Sequence, residues 1–330
     1  MARTASVLDW LLEPDQPAMR YRALRNLLGR PDDDPEVRAA RREIPKRGWA
    51  HDLLKDRDPE GWWVDGGNLY LPKYLATNWK LLVLADLGLS RELPEIERSC
   101  RLWIDRFATE DGGFGISGGR RGHHCLTGNM TRALLRFGYS DHPRVQRAVD
   151  WLLATSSPLG GWSCFGSGRN LDSWEGLGAL AVWPRARWTE ETHRVVDRAC
   201  EFYLERELRR QGPDYPPWRR FHYPVHYYYD LLVGLELLTT LGHGADPRLR
   251  FALDHLAKRR GKDGRWTLDG VHPDVEGRMA DWYRAHPKRR PTPLALEEVG
   301  APSKIITYRA LRVVERVRPG SVNGAARPKP

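Results

Sequence analysis

The stretch Leu159-Gly160-Gly161-Trp162 decides how the chain folds, because similar aromatic-glycine turns recur along it. The other copies are Pro59-Glu60-Gly61-Trp62-Trp63, Asp111-Gly112-Gly113-Phe114-Gly115 and Lys262-Asp263-Gly264-Arg265-Trp266. The copies are separated by about 50 residues or a small multiple of that length, a period typical of proteins built from repeated supersecondary units. The sequence therefore predicts a repeat protein.

Two kinds of helix alternate between these turns. Helices of the first kind have a polar face, and several begin at a proline, such as Pro35, Pro143 and Pro247, where the missing N–H costs nothing. Helices of the second kind are apolar around most of their circumference and must be covered on most sides. The predicted apolar helices span 74–87, 125–137, 172–183, 226–241 and 303–314. A first pair, formed by 5–13 and the residues that follow up to Gly29, completes six outer and six inner helices.

The two ends of the chain carry the same helix motif. Tyr21-Arg22-Ala23-Leu24-Arg25 returns as Tyr308-Arg309-Ala310-Leu311-Arg312, and Arg132-Ala133-Leu134-Leu135-Arg136 is a third variant. An open array of repeats needs polar capping units at both ends, which these near copies do not provide. We therefore predict an all-α (α/α)6 toroid, with six inner and six outer helices around a central cavity. It forms one domain over 1–317, with an irregular insertion at 267–302 and a disordered tail at 318–330.

The composition is that of an ordinary globular protein, with 41% hydrophobic and 29% charged residues. Neither a signal-peptide core nor a run of about 18 apolar residues is present, so we expect a cytoplasmic protein without a transmembrane segment. The four cysteines lack paired spacing, which argues against a disulfide scaffold. The formal net charge of +10 favours acidic small molecules and is compatible with transient contact with a membrane surface. No motif for specific nucleic-acid recognition is present.

The alternating helices and the turns of the Gly160-Gly161-Trp162 type resemble the superfamily of squalene and hopene cyclases and protein prenyltransferase β subunits. The resemblance covers nearly all of 5–316 and is strongest to small bacterial and archaeal prenyltransferase/squalene-cyclase-repeat proteins. It implies a ligand in the central cavity near the N-terminal ends of the inner helices. Helix N-termini attract anions, so we expect the site at those ends.

The first candidate site is a pair of carboxylates, Asp172 and Glu175, which open the fourth inner helix. Cyclases of the resembling superfamily protonate an alkene with the middle Asp of a DxDD motif, which this chain lacks. Residues at i and i+3 share a helix face, and if both carboxyls were buried, one would have a raised pKa and could donate a proton. The alternative is that Asp172 caps the helix while Glu175 interacts with the helix dipole.

The second candidate is a zinc site formed by His123, Cys125 and His226. The resembling prenyltransferases hold zinc with an Asp, a Cys two residues later and a distant His, and here His123 replaces the Asp. A thiolate and imidazoles suit zinc. The alternative is that Cys125 is a core thiol and His226 a hydrogen-bonding wall residue. No other cofactor is indicated.

The remaining candidates lie at or near the predicted starts of inner helices. Basic side chains there could hold a diphosphate or carboxylate, and aromatic rings could stabilise a carbocation. The predicted ligand-binding residues are Lys73, Tyr74, Asn78, Arg121, Asn129, Trp174, Arg220, His222, Tyr227, Lys304 and Tyr308. The predicted catalytic residues are Asp172, Glu175, His226, Tyr229 and Asp230.

Three functions remain open at this point. The first is binding of an isoprenoid or other amphipathic anionic small molecule in the cavity, with cyclisation, isomerisation or group transfer as the reaction. The second is a binding or scaffold protein without catalysis. The third is a polysaccharide lyase or glycosidase, because α/α toroids also serve those reactions. For proton removal next to a carboxylate, His226, Tyr229, Asn129 and Arg220 supply suitable side chains.

Overall fold

The computed structural model describes residues 2–164, 173–209, 215–272, 279–287 and 290–318, with the side chains of 2–6 and 279–280 left aside. Helices dominate these residues, and extended pairing there is limited to isolated bridges such as that between Ala108 and Phe114. The protein is therefore all-α, as predicted. Its α-helices in the described residues are α1 (Ala2–Leu11), α2 (Pro17–Asn26), α3 (Pro35–Glu43), α4 (Gly48–Leu54), α5 (Thr77–Leu87), α6 (Pro94–Phe107), α7 (His124–Arg136), α8 (Pro143–Ala154), α9 (Glu175–Val182), α10 (Glu190–Leu204), α11 (Leu231–Thr240), α12 (Arg250–Lys258), α13 (Met279–Ala285) and α14 (Lys304–Val317).

The helices fall into the two predicted kinds. In α5, α9 and α11 nearly every residue is buried, as expected for inner helices. Helices α3, α6 and α8 begin at Pro35, Pro94 and Pro143 and bury one side only. Helix α10 instead begins with a capping box, in which Thr189 and Thr192 each satisfy the other's backbone amide.

The aromatic residue of each turn joins an outer helix to the next inner helix. The indole N–H groups of Trp63, Trp162 and Trp266 each donate to a carbonyl ten residues earlier, at 2.7, 3.0 and 2.8 Å. Those carbonyls lie near the C-terminal ends of α4, α8 and α12. The backbone amides of Trp63 and Trp266 donate to threonine hydroxyls in the first turns of α5 and α14, at 3.0 and 2.9 Å. The copies of the motif that contain tryptophan therefore share the same indole hydrogen bond.

The glycines of these turns lie against the following outer helix. A Cβ atom built on Gly160 would lie only 2.3 Å from the carbonyl oxygen of Arg198 in α10. The turn after α12 continues the pattern at the start of the chain, since a Cβ on Gly264 would lie 3.0 Å from Cγ2 of Val7 in α1. The last aromatic-glycine turn therefore contacts the first helix.

Further contacts join the two ends of the chain. Helix α14 packs against both α1 and α2. Its first residue, Lys304, places Nζ 2.8 Å from Glu13 and 3.0 Å from Asp15 in the turn between α1 and α2. Asn26 at the end of α2 donates from Nδ2 to the hydroxyl of Tyr308 at 2.7 Å. The first and last inner helices are therefore in contact, as closure of the predicted toroid requires.

The fifth inner helix is shorter than predicted, since it begins at Leu231 and not at residue 226. Pro224 has no N–H to donate, and His226 has a left-handed φ of 42°, which a right-handed helix does not contain. Asp230 caps the helix by accepting the amide of Val233 at 2.8 Å. The segment before Asp230 is therefore a loop.

Three other expectations concern the outlying parts of the chain. The irregular segment at 267–302 contains one short helix, α13, within its described residues. The tail beyond residue 318, predicted to be disordered, lies outside the described residues, and so does Asp172. Among the helices of the described ranges, none is long and apolar enough to span a bilayer.

Candidate functional site: an arginine-lined cavity

Six helices contribute side chains to one cavity of about 360 Å³. They are α2, α5, α7, α9, α11 and α14, the six helices predicted to be inner ones. The last or next-to-last residue of every one of these helices lines the cavity: Asn26, Leu87, Arg136, Val182, Thr240 and Arg316. The cavity therefore lies toward the C-terminal ends of the inner helices, whereas the sequence led us to expect a site at their N-terminal ends.

The ionisable lining residues are mostly arginines. Six arginines face two carboxylates, and the arginines are Arg22, Arg132, Arg136, Arg309, Arg312 and Arg316. Asp86 and Glu236 line the cavity, and Glu315 pairs with Arg312 at 2.6 Å, so six arginines meet three carboxylates. The side chains at the cavity therefore carry more positive than negative full charges.

Asp86 lies between two arginines of α7. Its carboxylate forms ion pairs with Arg136 and, at 3.8 Å, with Nη1 of Arg132. Burial alone would raise the pKa of Asp86, but Arg136, Arg132 and Arg22 outweigh it and lower the pKa below its ordinary value. Asp86 is therefore ionised at neutral pH.

Arg132, the second arginine that pairs with Asp86, is buried. Burial lowers its pKa to about 10, with Asp86 opposing the shift, so the guanidinium stays protonated at neutral pH. The guanidinium lies 4.8 Å from the centre of the Trp174 ring, a cation–π contact across the α7–α9 boundary. Its Nη2 also donates to Oδ1 of Asn129 at 3.1 Å. The side chain is thus held in place from three directions.

Arg309 forms the second ion pair of the cavity. Its Nε and Nη2 lie 2.7 and 2.6 Å from Oε2 of Glu236, and Nη1 donates to the carbonyl of His222 at 3.3 Å. Burial lowers the pKa of Arg309, but Glu236 and Asp230 more than reverse this and raise it above its ordinary value. This pair connects α14 to α11 and to the loop before α11.

The buried polar atoms of the cavity lining that lack a hydrogen-bond partner are all donors. Among the described lining residues, the buried side-chain polar atoms without a hydrogen-bond partner are Nε of Arg22, Nε of Arg132 and Nε1 of Trp174. None of these atoms can accept a hydrogen bond. A buried unsatisfied donor costs about 1–3 kcal/mol, so an acceptor group inside the cavity would be stabilised.

Two of the predicted ligand-binding residues, Trp174 and Tyr308, line this cavity. Two more, Asn129 and His222, lie behind the cavity lining, in contact with its arginines. Asn129 receives the Arg132 bond and donates from Nδ2 to the carbonyl of His226 at 2.7 Å. His222, whose carbonyl accepts from Arg309, places Nδ1 2.7 Å from the buried carboxylate of Asp230. These residues position the cavity arginines and the loop before α11.

A packed aromatic layer occupies the region where the site was expected. The ring of Tyr74 stacks on His226 with ring centres 5.2 Å apart and on His272 at 3.5 Å, and Trp79 contacts Tyr227 at 5.4 Å. Burial lowers the pKa of His226 well below its ordinary value. His226 is therefore uncharged at neutral pH and has no second proton to donate.

The other predicted residues are dispersed. The buried side chains of Asn78 and Glu175 lie in the first turns of α5 and α9, and the hydroxyl of Tyr229 donates to the carbonyl of Leu208 at 3.3 Å. The predicted basic cluster does not converge on the cavity. Lys304 pairs with Glu13 and Asp15, Arg220 donates to the Asp269 carbonyl at 2.5 Å, Arg121 is exposed, and Lys73 lies 5.8 Å from the centre of the Tyr74 ring.

The candidate zinc ligands are not brought together. No group of three His, Cys, Asp or Glu side chains with metal-binding geometry occurs in the part of the chain that the structure describes. The amide of Cys125 donates to Sγ of Cys164 at 2.9 Å, while His226 is stacked in the aromatic layer. The donor set therefore does not fit the predicted zinc site.

The sequence contained a signal for the cavity that we interpreted only as evidence of repeats. Arg132 and Arg136 stand four residues apart, as do Arg312 and Arg316, so each pair projects from one helix face. Arginines at such spacing near the C-terminal ends of several apolar helices indicate a shared basic surface, because apolar inner helices otherwise have little reason to carry them.

Comparisons with known proteins give a structural similarity. No protein-family profile matches the chain, and no curated protein sequence matches it either. The structure is similar to the type II terpene cyclase MstE from Scytonema in complex with its substrate geranylgeranyl dihydroxybenzoate. One variant of MstE is 20% identical, with 80% of this chain and 74% of that chain covered and a TM-score of 0.45. A second variant with the same substrate is 21% identical over 80% and 75% of the two chains, with a TM-score of 0.43. A resemblance to terpene cyclases is also what the sequence led us to expect.

Proposed function

We propose that the protein binds a small amphipathic molecule with an anionic head in the arginine-lined cavity. The observation that carries the proposal is the convergence of six arginine side chains, from α2, α7 and α14, on one cavity of about 360 Å³. The unmet donors of Arg22, Arg132 and Trp174 favour a group that accepts hydrogen bonds. The excess of arginines over carboxylates among the side chains favours an anionic group such as a carboxylate or a phosphate monoester.

The walls of the cavity also favour an apolar portion of the ligand. The lining also includes the apolar side chains of Met19, Leu87, Val182, Val233 and Leu237. A volume of about 360 Å³ is at the lower end of the range of small-molecule sites, about 300–1,000 Å³. A cavity of this size suits one small molecule and not a polysaccharide. Following the superfamily resemblance, we take an isoprenoid acid as the preferred ligand.

Binding without proton-initiated cyclisation is the function that the cavity supports best. Such a reaction needs a protonated acid beside the substrate. In the cavity, Asp86 is held in its ionised form by arginines and Glu236 is paired with Arg309. A catalytic role for Glu175, in α9, is the alternative that activity measurements would test.

A titration with three probes tests the proposal. Farnesoic acid, farnesyl phosphate and farnesol share one apolar chain and differ in the head group. We expect isothermal titration calorimetry to show binding of both anions with a Kd at least tenfold lower than that of farnesol. A charge-assisted hydrogen bond contributes about 1.5–3 kcal/mol, so the double variant Arg22→Gln/Arg132→Gln should weaken binding of the anions by more than tenfold.

The matched control is Arg101→Gln, because Arg101 is exposed on α6, where it pairs with Glu97. This variant should bind all three probes as the wild type does. Circular dichroism and thermal unfolding would establish that both variants fold. Equal affinity for farnesol and farnesoic acid, or unchanged binding by the folded double variant, would rule out the proposed role of the cavity.

A further inference from the structure

We propose that Cys125 and Cys164 form a disulfide bond under oxidising conditions and thereby fasten the start of α7 to the segment that precedes α9. The two residues are 39 positions apart in the chain, yet the amide of Cys125 donates to Sγ of Cys164 at 2.9 Å, and the two thiols share a hydrogen bond. The side chains of both cysteines are only partly buried.

The neighbouring residues hold the two cysteines side by side. Nδ1 of His124 lies 2.8 Å from the carbonyl oxygen of Ser163, so the residues before each cysteine are also in contact. Further along, the backbones of α7 and α9 touch, since a Cβ built on Gly128 would lie 2.4 Å from the carbonyl carbon of Glu175. These contacts hold the two segments close together, as a disulfide between Cys125 and Cys164 requires.

The other two cysteines do not offer this arrangement. Cys100 in α6 and Cys200 in α10 are fully buried. A small-molecule oxidant reaches partly exposed thiols in preference to buried ones. The modification is therefore specific to the pair formed by Cys125 and Cys164.

The chemistry is thiol–disulfide exchange with a low-molecular-weight disulfide such as oxidised glutathione. The thiolate of one cysteine attacks a glutathione sulfur and releases one glutathione, which leaves a mixed disulfide on the protein. The second cysteine attacks the protein-bound sulfur and releases the second glutathione. Two protein thiols are oxidised, one glutathione disulfide is reduced, and the two thiol protons end on the two glutathiones.

The surroundings of Cys125 and Cys164 determine how fast the two thiols exchange with oxidised glutathione. The hydrogen bond to Cys164, together with burial, raises the pKa of the Cys125 thiol above its ordinary value. Little thiolate is present at neutral pH, so exchange is slow and accelerates as the pH rises. A thiol with a raised pKa is also a poor leaving group, so the disulfide persists once formed. The bond then lies at the start of α7, the helix that supplies Arg132 and Arg136 to the cavity.

The test is to incubate the full chain with oxidised glutathione, alkylate the remaining thiols and analyse a non-reducing digest by mass spectrometry. We expect one intrachain link between Cys125 and Cys164, with Cys100 and Cys200 still reduced. Since the bond closes a loop of about 39 residues, the Tm of the oxidised protein should rise by at least about 3 °C and return to its starting value after reduction.

The variant Cys164→Ala is the control, because Cys125 remains but its partner is removed. Oxidised glutathione should leave the Tm of this variant unchanged and form no intrachain link in it. Recovery of both Cys125 and Cys164 as alkylated thiols after prolonged oxidation of the wild type would overturn the proposal. A link from either residue to Cys100 or Cys200 would overturn it equally, and neither result depends on how the variant folds.

Discussion

Gly160→Ala is expected to reduce the free energy of unfolding by roughly 3 kcal/mol or more, because two costs act at one position. Gly160 has a φ of 89°, a region that residues with a side chain rarely adopt. The new Cβ would also lie 2.3 Å from the carbonyl oxygen of Arg198, which is backbone within α10 and cannot rotate away. The turn that joins α8 to α9 would have to move away from α10.

The matched control is Gly242→Ala at the end of α11. Gly242 has a similar φ of 98°, but a Cβ there meets no atom within 4 Å. Its substitution should show the conformational cost alone, about 1–2 kcal/mol. Urea unfolding followed by tryptophan fluorescence measures both variants. Equal losses in the two proteins would mean that the close approach of the turn to α10 does not exist.

Asp230→Ala is expected to reduce the free energy of unfolding by about 3 kcal/mol or more, since it removes the buried acceptor that three donors share. The carboxylate is fully buried and accepts from the amide of His222 at 3.1 Å, from Nδ1 of His222 at 2.7 Å and from the amide of Val233 at 2.8 Å. The substitution leaves these three donors without an acceptor and removes the cap of α11.

The control for this prediction is Asp246→Ala, which removes the cap of a short, partly exposed helical turn. Asp246 accepts from the amide of Arg248 at 2.9 Å and pairs with its guanidinium at 2.7 Å, and the loss of this cap and partly exposed ion pair should reduce the free energy of unfolding by about 1–2 kcal/mol. Chemical unfolding compares the two variants. A loss for Asp230→Ala no larger than that for Asp246→Ala would show that the buried pair does not support the loop before α11.

The contact between Asp230 and His222 should make the stability of the protein depend on pH. Burial raises the pKa of Asp230, but His222 outweighs it, and the pKa lies below the ordinary value of 3.8. A depressed folded-state pKa contributes stability that is fully present above pH 3.8 and is lost as the pH falls through the folded-state pKa. The difference in the free energy of unfolding between the wild type and Asp230→Ala should therefore be constant around neutral pH and should become smaller in strong acid.

The aromatic-glycine turns show how much of the fold the sequence makes predictable. Their period predicts the alternation of outer and inner helices, because the pattern of apolar residues follows secondary structure directly. The indole bonds of Trp63, Trp162 and Trp266 could not be predicted, since they join the turn to carbonyls whose positions depend on the packed structure. Periodicity identifies the elements, while the contacts between them come from tertiary packing.

The position of the cavity could not be inferred from helix dipoles alone. Dipoles favour anions at helix N-termini, which is where Tyr74 and His226 were expected to line a site. The structure fills that region with stacked rings and has its cavity at the C-terminal ends, where full charges on Arg136 and Arg316 outweigh partial charges on carbonyl groups. Side-chain charges near the helix ends therefore have to be weighed before the dipoles.

The loop before α11 shows a different limit of sequence reasoning. The aromatic run that ends at Asp230 has the apolar character of a helix start, and we predicted one from His226 onward. The helix begins after Asp230 instead, because the side chain of Asp230 caps Val233 while its other oxygen holds His222. Such a cap is recognised only when the distant partner of the carboxylate is known.

The central claim is that the first and last inner helices meet, so that six helices surround one cavity. A double-mutant cycle on the hydrogen bond between Asn26 and Tyr308, which are 282 positions apart, tests it most directly. The free energies of unfolding of the wild type, Asn26→Ala, Tyr308→Phe and the double variant would be compared by chemical denaturation, with Asn68→Ala/Tyr308→Phe as the unconnected pair. We predict a coupling energy of about 1 kcal/mol between Asn26 and Tyr308 and none between Asn68 and Tyr308. Strictly additive effects of Asn26→Ala and Tyr308→Phe would contradict the closed ring.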